Sequence, residues 1–382
     1  MSDIDNIETK KTETVKKTPK KSVNHPKREL NEIYLSPAPH FATPVTVRRL
    51  MLNVVIALLP IAGFAVYLYG LPALLRLVIS VISTVVFESV FRLIVKRPIR
   101  AKDFSAVITG LLLALVMPSN IPIWILILSA FFAIVVGKEF FGGLGKNPFN
   151  PALIGRAFAF VSFAGPMTSW ITTKASSFFG GLSGNVVALS GATSKKAVDL
   201  ISTATVLSKV NPLDGVVLSV EQIASELGLA GANDLYLSLF FGNRSGSMGE
   251  SPIFLILIAF VFLILTKTID WRIPVSMLVS ATLSSVVLGF LAFGTPINPL
   301  LTLLSGGLVF GAVFMATDYA TSPVTPMGRI IFGAGCGFLS VVIRLFGTFP
   351  EGVMFSILIM NALVPYLNKI LPKKYGYVKG GK

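Results

Sequence analysis

The chain contains very few of the residues that bind metal ions. Among its 382 residues there are one cysteine and two histidines. Cys336 lies inside an apolar stretch, so the sequence excludes a disulfide framework, a site of several thiolates and an iron–sulfur cluster. Two histidines, His25 and His40, are too few for a histidine-based zinc or haem site.

Charged residues are also scarce, at 13% of the chain against 53% hydrophobic residues. A soluble protein of this length is not so apolar, and the composition places the chain in a lipid bilayer. The formal net charge of +15 lies largely at the two ends and in short loops. Basic residues in those places indicate contact with a membrane surface, and we expect no nucleic-acid partner.

Residues 1–32 are predicted to form a disordered basic cytoplasmic tail. They mix lysines with acidic residues and have almost no large apolar side chains. No apolar core follows until about residue 50, so this stretch does not have the pattern of a signal peptide.

Ten apolar runs are long enough to cross a bilayer, and they predict an all-α integral membrane protein of about ten transmembrane helices. The runs cover residues 48–69, 72–95, 103–117, 121–137, 150–166, 252–267, 273–293, 299–317, 328–347 and 352–371. The pattern divides the chain into two five-helix regions, 33–166 and 252–371. A polar loop, 167–251, separates them, and a second tail, 372–382, follows.

The basic residues of the short loops predict the orientation. With a cytoplasmic N-terminus, nine lysines and arginines fall in inside loops, and the outside short loops have none. Those nine are Lys96, Arg97, Arg100, Lys102, Lys138, Lys146, Lys267, Arg272 and Arg329. Both termini are then cytoplasmic, and loop 167–251 lies outside, in the periplasm or the cell exterior.

Short sequences recur between the two five-helix regions. Thr109–Met117 echoes Gly306–Phe314, and Asn150–Leu153 echoes Asn361–Leu363. Members of each pair lie five spans apart, and a repeat with an odd number of spans has inverted topology. Inverted repeats place a pathway or cofactor between two pseudo-symmetric halves. Chance similarity among apolar helices is the alternative.

Two polar stretches interrupt this pattern. The string Phe140–Phe158 contains four glycines and two Asn-Pro pairs, which break a helix at membrane depth only where the backbone is buried or lines a cavity. It lacks the Lys-Ser/Thr of a P-loop, and a tight hairpin is the simpler alternative. The second stretch, Val198–Leu207, has a threonine framed by small residues. An ordinary polar turn with a helix cap would have similar composition.

These stretches together resemble the RnfD and NqrB family of membrane subunits. The resemblance rests on the Val198–Leu207 pattern, on Phe140–Phe158 and Asn243–Glu250, and on Leu35–His40, and it covers about residues 33–371. It implies that Thr205 carries FMN as a phosphate ester, attached by an extracytoplasmic flavin transferase. Asp199, Ser202 and Ala204 would complete the attachment motif. Ser190–Thr193 is a weaker match.

The resemblance also implies a second, non-covalent flavin such as riboflavin, for which Gly110, Asn147 and Asn150 are the candidate residues. It implies a bacterial cytoplasmic (inner) membrane protein of an Rnf-type ferredoxin:NAD oxidoreductase that translocates Na⁺ or H⁺. The expected partners are RnfA, RnfB, RnfC, RnfE and an RnfG-like protein, because the chain has no nucleotide-binding glycine motif of its own. Two alternatives are NqrB of a Na⁺-translocating NADH:quinone oxidoreductase and a urea-transporter-like channel.

Five ionisable residues are predicted at membrane depth, where each is a functional candidate. They are Glu88, Arg92, Arg156, Asp318 and Arg344. Glu88 and Arg92 are four residues apart, which predicts an ion pair within one helix. Asp103 and Asp318 lie near helix ends and have the alternative role of caps.

Overall fold

The computed structural model describes residues 46–98, 103–169, 219–226, 231–242, 246–347 and 351–370. All regular secondary structure in these ranges is helical, which confirms the predicted class. The predicted tails, 1–32 and 372–382, lie outside the described residues, as does most of the predicted loop 167–251.

The described residues before position 170 contain α1 (Val47–Tyr69), α2 (Leu71–Ile94), α3 (Ser105–Leu115), α4 (Ile123–Phe131), α5 (Pro151–Ser162) and α6 (Ala164–Thr168). A π-helix, Phe132–Glu139, continues α4. The Thr46 side chain caps α1 by accepting from Arg49 N at 3.3 Å. Gly70 has φ 75°, which glycine adopts without strain, so α2 begins directly after α1 ends.

The described residues after position 218 contain α7 (Val220–Glu226), α8 (Ala232–Phe241), α9 (Ile253–Leu265), α10 (Arg272–Phe293), α11 (Pro299–Leu304), α12 (Leu308–Phe310), α13 (Pro326–Phe346) and α14 (Val353–Leu367). A π-helix, Gly311–Met315, continues α12. Buried Ile223 and Leu235 of α7 and α8 cluster with Leu301 of α11. Part of the predicted polar loop is therefore helical and packed.

Four helices, α1, α2, α10 and α13, are long and apolar enough to cross a membrane. Large apolar side chains such as Leu59, Ile82 and Val279 are exposed on them, as expected for contact with lipid. Each of the ten predicted runs contains a helix, but α3, α5, α9 and α14 are shorter than 18 residues. The chain is a membrane protein, while the number of crossings, the inverted repeat and the orientation stay predictions.

Two helices stop short in the interior. With 11 residues, α3 is about 16 Å long, roughly half of a 30 Å hydrocarbon layer. The helix formed by α12 and its π-helical continuation, 308–315, is shorter still. Both run almost entirely through buried residues. Broken helices of this kind leave backbone groups that only the protein interior or a cavity can satisfy.

Side-chain bonds between distant residues show which helix ends lie together. At the end of the bundle where α1 begins, which we call the first end, Asn53 bonds to Thr268 at 3.0 Å and Arg329 pairs with Asp270. At the opposite, second end, the Tyr69 hydroxyl lies 3.1 Å from the Ser251 hydroxyl. Helix α9 therefore runs from the second end to the first, antiparallel to α1.

Glycines of α13 allow its close packing on α10. A Cβ on Gly337 would lie 2.2 Å from the Met277 carbonyl oxygen, and one on Gly333 would lie 2.5 Å from the Ile273 carbonyl. Small residues at such interfaces let helix backbones approach in a membrane. Only glycine fits at these two positions.

A candidate ligand-binding cavity at the first end

A cleft opens among the helices at the first end. Its walls come from α1, α3, both π-helices, the end of α9 and the turn that precedes α5. Most of the wall is apolar, from side chains such as Met51, Leu112 and Phe314. Its polar side chains are Ser105, Thr109, Lys138, Asn147, Asn150, Thr317, Asp318 and Tyr319. This mainly apolar lining with a few polar groups is typical of a site for a cofactor or other small molecule.

Asn150 joins the cavity wall to the broken helix of the C-terminal region. Its Oδ1 caps α5 by accepting from Ala152 N at 3.0 Å and Leu153 N at 3.4 Å. Its Nδ2 donates to the Met315 carbonyl at 3.2 Å, which satisfies a backbone group at the end of the second π-helix. The Asn361 amide lies 3.3 Å from Asn150 N. The two Asn segments that echo each other in sequence thus meet in the fold.

Asn147 shapes the turn that closes the cavity. Its Oδ1 accepts from Gly145 N at 3.3 Å, and its Nδ2 donates to the Phe149 carbonyl at 3.0 Å. Gly142 and Gly145 have φ values of 107° and 88°, which a side chain would strain. The string Phe140–Phe158 is therefore both a tight turn and a cavity wall, and the two interpretations of its sequence are compatible.

Gly110 lies beside the cavity rather than in its wall. A Cβ there would lie 2.5 Å from Thr84 Oγ1 and 2.7 Å from Val81 Cα, and the Ser80 hydroxyl donates to the Gly110 carbonyl at 2.8 Å. Glycine at this position permits the packing of α3 on α2. Thr109, the residue before Gly110, does line the cavity.

Lys138 lies in the cavity wall and is 1% exposed. Its Nζ donates to Glu88 at 2.9 Å and to Ser105 Oγ at 2.7 Å. The sequence pattern placed Lys138 in a cytoplasmic loop, and that assignment is wrong, because the π-helix that continues α4 carries this residue into the interior. The orientation then rests on the eight other basic residues.

The predicted pair of Glu88 and Arg92 is present at 3.2 Å, but it belongs to a larger network. Arg92 also donates to Glu139 at 2.8 Å, and Lys138 completes the group. The two positive and two negative charges balance, which is what burial of ions at membrane depth requires. Sequence reasoning missed the ion pairs of Glu139 and Lys138, because their partners lie about fifty residues earlier in the chain.

Two aspartates at the first end have the cap-like bonds expected of them. Asp103 accepts from Ser105 N at 3.0 Å at the start of α3. Asp318 follows the second π-helix, lines the cavity and accepts from Thr321 Oγ1 at 3.2 Å. Asp318 thus contributes a carboxylate to a wall that already contains the Lys138 ammonium.

The other predicted buried cations, Arg156 and Arg344, lie apart from the cavity. Arg156 pairs with Glu351, and its Nη2 lies 3.8 Å from Glu250. Arg344 donates to the carbonyls of Thr302 at 3.0 Å and Ser305 at 3.2 Å, where α11 ends. Glu250 and Glu351 were not among the ionisable residues predicted from the sequence to be buried, because both lie in loops next to apolar runs.

The predicted flavin-attachment motif lies outside the described residues. This applies to Asp199, Ser202, Ala204 and Thr205, and also to the weaker match Ser190–Thr193. Their assignment continues to rest on the sequence alone.

Fold and cavity define a helical membrane protein in which broken helices line a candidate ligand cavity. The chain belongs to the NQR2, RnfD, RnfE family, whose model matches residues 34–376. It is 37% identical over 355 residues to the D subunit of the Na⁺-translocating ferredoxin:NAD⁺ oxidoreductase complex of Acetobacterium woodii, covering 92% of this chain and 98% of that protein.

Two further relatives are similarly close. The D subunit of the proton-translocating ferredoxin:NAD⁺ oxidoreductase complex of Clostridium ljungdahlii is 37% identical, with 91% of this chain and 97% of that protein covered. Its counterpart in an ion-translocating oxidoreductase complex of Stutzerimonas stutzeri is also 37% identical, with 88% and 94% covered. The resemblance inferred from the sequence motifs is confirmed.

Proposed function

We propose that the chain is the flavin-carrying membrane subunit of an Rnf-type ferredoxin:NAD oxidoreductase and that its electron transfer is coupled to movement of Na⁺ or H⁺. Support comes from the family and from relatives that match over nearly their whole length and are named as the D subunits of such complexes. One of these relatives is named Na⁺-translocating and another proton-translocating, at the same 37% identity. The proposal therefore includes either ion.

The observation that carries the proposal is the cavity at the first end. An isoalloxazine is flat and apolar with polar edges, so it needs apolar walls and a few hydrogen-bonding groups. The cavity offers apolar walls, with Asn147, Asn150 and Thr109 as neutral polar groups and Lys138 as a buried cation. These residues fit a non-covalent flavin such as riboflavin. Gly110 would act indirectly, by permitting the close packing of α3 on α2.

A bound flavin accepts and donates electrons one or two at a time. Around it the chain's own residues would hold the ligand and exclude water. Asn150 ties the cavity wall to the second π-helix, and Lys138 holds a positive charge whose position Glu88 and Ser105 fix. A fixed positive charge stabilises negative charge that develops nearby.

The second cofactor of the proposal is FMN, esterified through its phosphate to Thr205. The supporting observation is the local sequence, in which Asp199, Ser202 and Ala204 precede the threonine at the spacing of the family's attachment motif. An extracytoplasmic flavin transferase would recognise that motif, which agrees with the predicted placement of loop 167–251 outside the cytoplasm.

Partner proteins follow from what the chain lacks. Its sequence has neither a nucleotide-binding glycine motif nor a cysteine set for iron–sulfur clusters, so other subunits must oxidise ferredoxin and reduce NAD. We propose RnfA, RnfB, RnfC, RnfE and an RnfG-like protein as these partners in the bacterial inner membrane. The relatives from ferredoxin:NAD⁺ oxidoreductases favour this assembly over an NqrB complex, and the family argues against a solute channel.

Two asparagines allow a matched test of the cavity. Asn150 and Asn298 each cap a short helix in an Asn-Pro pair, but only Asn150 lines the cavity. In the complex purified from its host, Asn150→Ala should lower the non-covalent flavin that acid extraction releases, whereas Asn298→Ala should leave it unchanged. Equal loss in both variants, or none in Asn150→Ala, would argue against flavin in this cavity.

A further inference from the structure

A second group of buried charges lies away from the cavity, around a short segment that enters the interior. Every residue of 246–251 is buried, and Glu250 is 3% exposed. Gly249 N donates to the Leu115 carbonyl at 2.7 Å, and Met248 N donates to the Met117 carbonyl at 3.4 Å. The segment thus satisfies backbone groups where α3 stops, and it carries a carboxyl group into the interior.

Glu250 meets a second carboxyl group from the opposite side of this interior. Glu351, in the turn before α14, and Glu250 both approach the same nitrogen, Nη2 of Arg156. Arg156 of α5 donates to Glu351 and to Ser247 Oγ, and lies 3.8 Å from Glu250. One arginine side chain is therefore shared between two carboxyl groups.

Among the described residues, three charged groups face Glu351. They are Arg156 on α5, Glu250 on the 246–251 segment and Arg344 on α13. Two nitrogens of Arg344 donate to backbone carbonyls of α11 and of the turn after it. Glu250 also packs against Gly307, where a Cβ would lie 2.9 Å from its Oε1. This close fit leaves the Glu250 carboxyl group little room to move toward Gly307.

An ionised carboxylate can only accept hydrogen bonds, so two ionised groups in this position would repel each other. A single proton removes the repulsion and makes a hydrogen bond between them, as in other carboxyl pairs that titrate as a unit. We propose that Glu250 and Glu351 form a proton-binding dyad that holds one shared proton at neutral pH. Its ligand is H⁺, and the dyad stands independently of any flavin in the cavity.

The electrostatic environment agrees with this geometry. Burial is the main cause that raises the pKa of Glu351, and the negative charge and hydrogen bond of Glu250 raise it further, while Arg156 lowers it. The resulting pKa is about 8. Glu351 therefore releases its proton just above neutral pH. Release leaves both carboxyl groups around Arg156 Nη2 negatively charged, which should loosen the 246–251 segment from its position.

The direct test is an infrared pH titration of the complete complex in detergent. The wild type should show a protonated-carboxyl C=O band that disappears as the pH rises through about 8. Glu250→Gln and Glu351→Gln should each remove that titrating band. Glu221→Gln, which changes an exposed acid on α7, should retain it. Glu351→Asp keeps a carboxyl group and should shift the band, which covers the case in which the Gln variants do not assemble.

Two results would overturn the dyad. One is a band that titrates unchanged in both Gln variants. The other is loss of the band on addition of Na⁺ at constant pH, which would make the pair a cation site.

A second measurement is hydrogen exchange of the backbone amides of residues 246–251. Their exchange should speed up at least several-fold between pH 7 and pH 9, beyond the intrinsic base-catalysed increase. That excess should be absent in Glu351→Gln.

Discussion

At the scale of single residues, the buried network around Lys138 is the most consequential feature beside the cavity. Glu88 is 2% exposed and has Lys138 and Arg92 within 3.2 Å. Breaking such a pair by removing one partner leaves a buried charge without compensation, which costs far more than the pair contributes when intact. Because of this network, the packing of α2 and α3 against the first π-helix is sensitive to a single substitution.

Lys138→Met should destabilise the protein by about 3–5 kcal/mol, because it leaves the Glu88 carboxylate buried without its ammonium partner. Lys146→Met, at an exposed position of the following turn, should have little effect. Thermal unfolding in detergent measures both. The double variant with Glu88→Gln should recover part of the loss, and a single Lys138→Met variant as stable as wild type would contradict the network's role.

Residue pairs were predictable from the sequence only where they are local. The spacing of Glu88 and Arg92 predicted their ion pair, and Asp103 and Asn150 lie at helix starts where caps are expected. Lys138 was placed in a loop, because basic residues after an apolar run usually stay at the membrane surface. Its burial depends on Glu88 and Ser105, which reach it only through the tertiary fold.

At the scale of helices, hydrophobic runs predicted where helices form but not how they break. The apolar run 299–317 reads as one span, whereas the structure divides it into α11, α12 and a π-helix. Its glycines at 306, 307 and 311 gave only a general sign of a break. The second π-helix ends at the Met315 carbonyl, which Asn150 satisfies from a distant part of the chain, and local sequence does not encode that contact.

Close packing of α10 on α13 gives an element-scale prediction. Gly337→Ala should destabilise the protein by about 1–3 kcal/mol, because the new Cβ would lie 2.2 Å from the Met277 carbonyl and the helices would have to separate. Gly63→Ala on α1 is the matched control, since nothing lies within 4 Å of its added Cβ. Thermal unfolding of the two variants compares them. Equal stability would show that this helix pair tolerates a wider spacing.

At the scale of the whole molecule, composition alone placed the chain in a membrane, and four long apolar helices agree. Sequence motifs identified the family that the comparisons confirm. Two of the candidate residues, Asn147 and Asn150, line one cavity, while Gly110 supports its wall. The orientation of the loops is a prediction from the distribution of lysine and arginine.

The measurement that tests the central claim most directly is detection of covalent flavin in the complex purified from its host. In-gel fluorescence and peptide mass mapping should find FMN on wild-type chain and on Thr193→Ala. Thr205→Ala should have none, because it lacks the acceptor hydroxyl. Asp199→Ala should be labelled less, through weaker recognition by the transferase. A wild-type chain without covalent flavin, or a Thr205→Ala chain that keeps its fluorescence, would contradict the account.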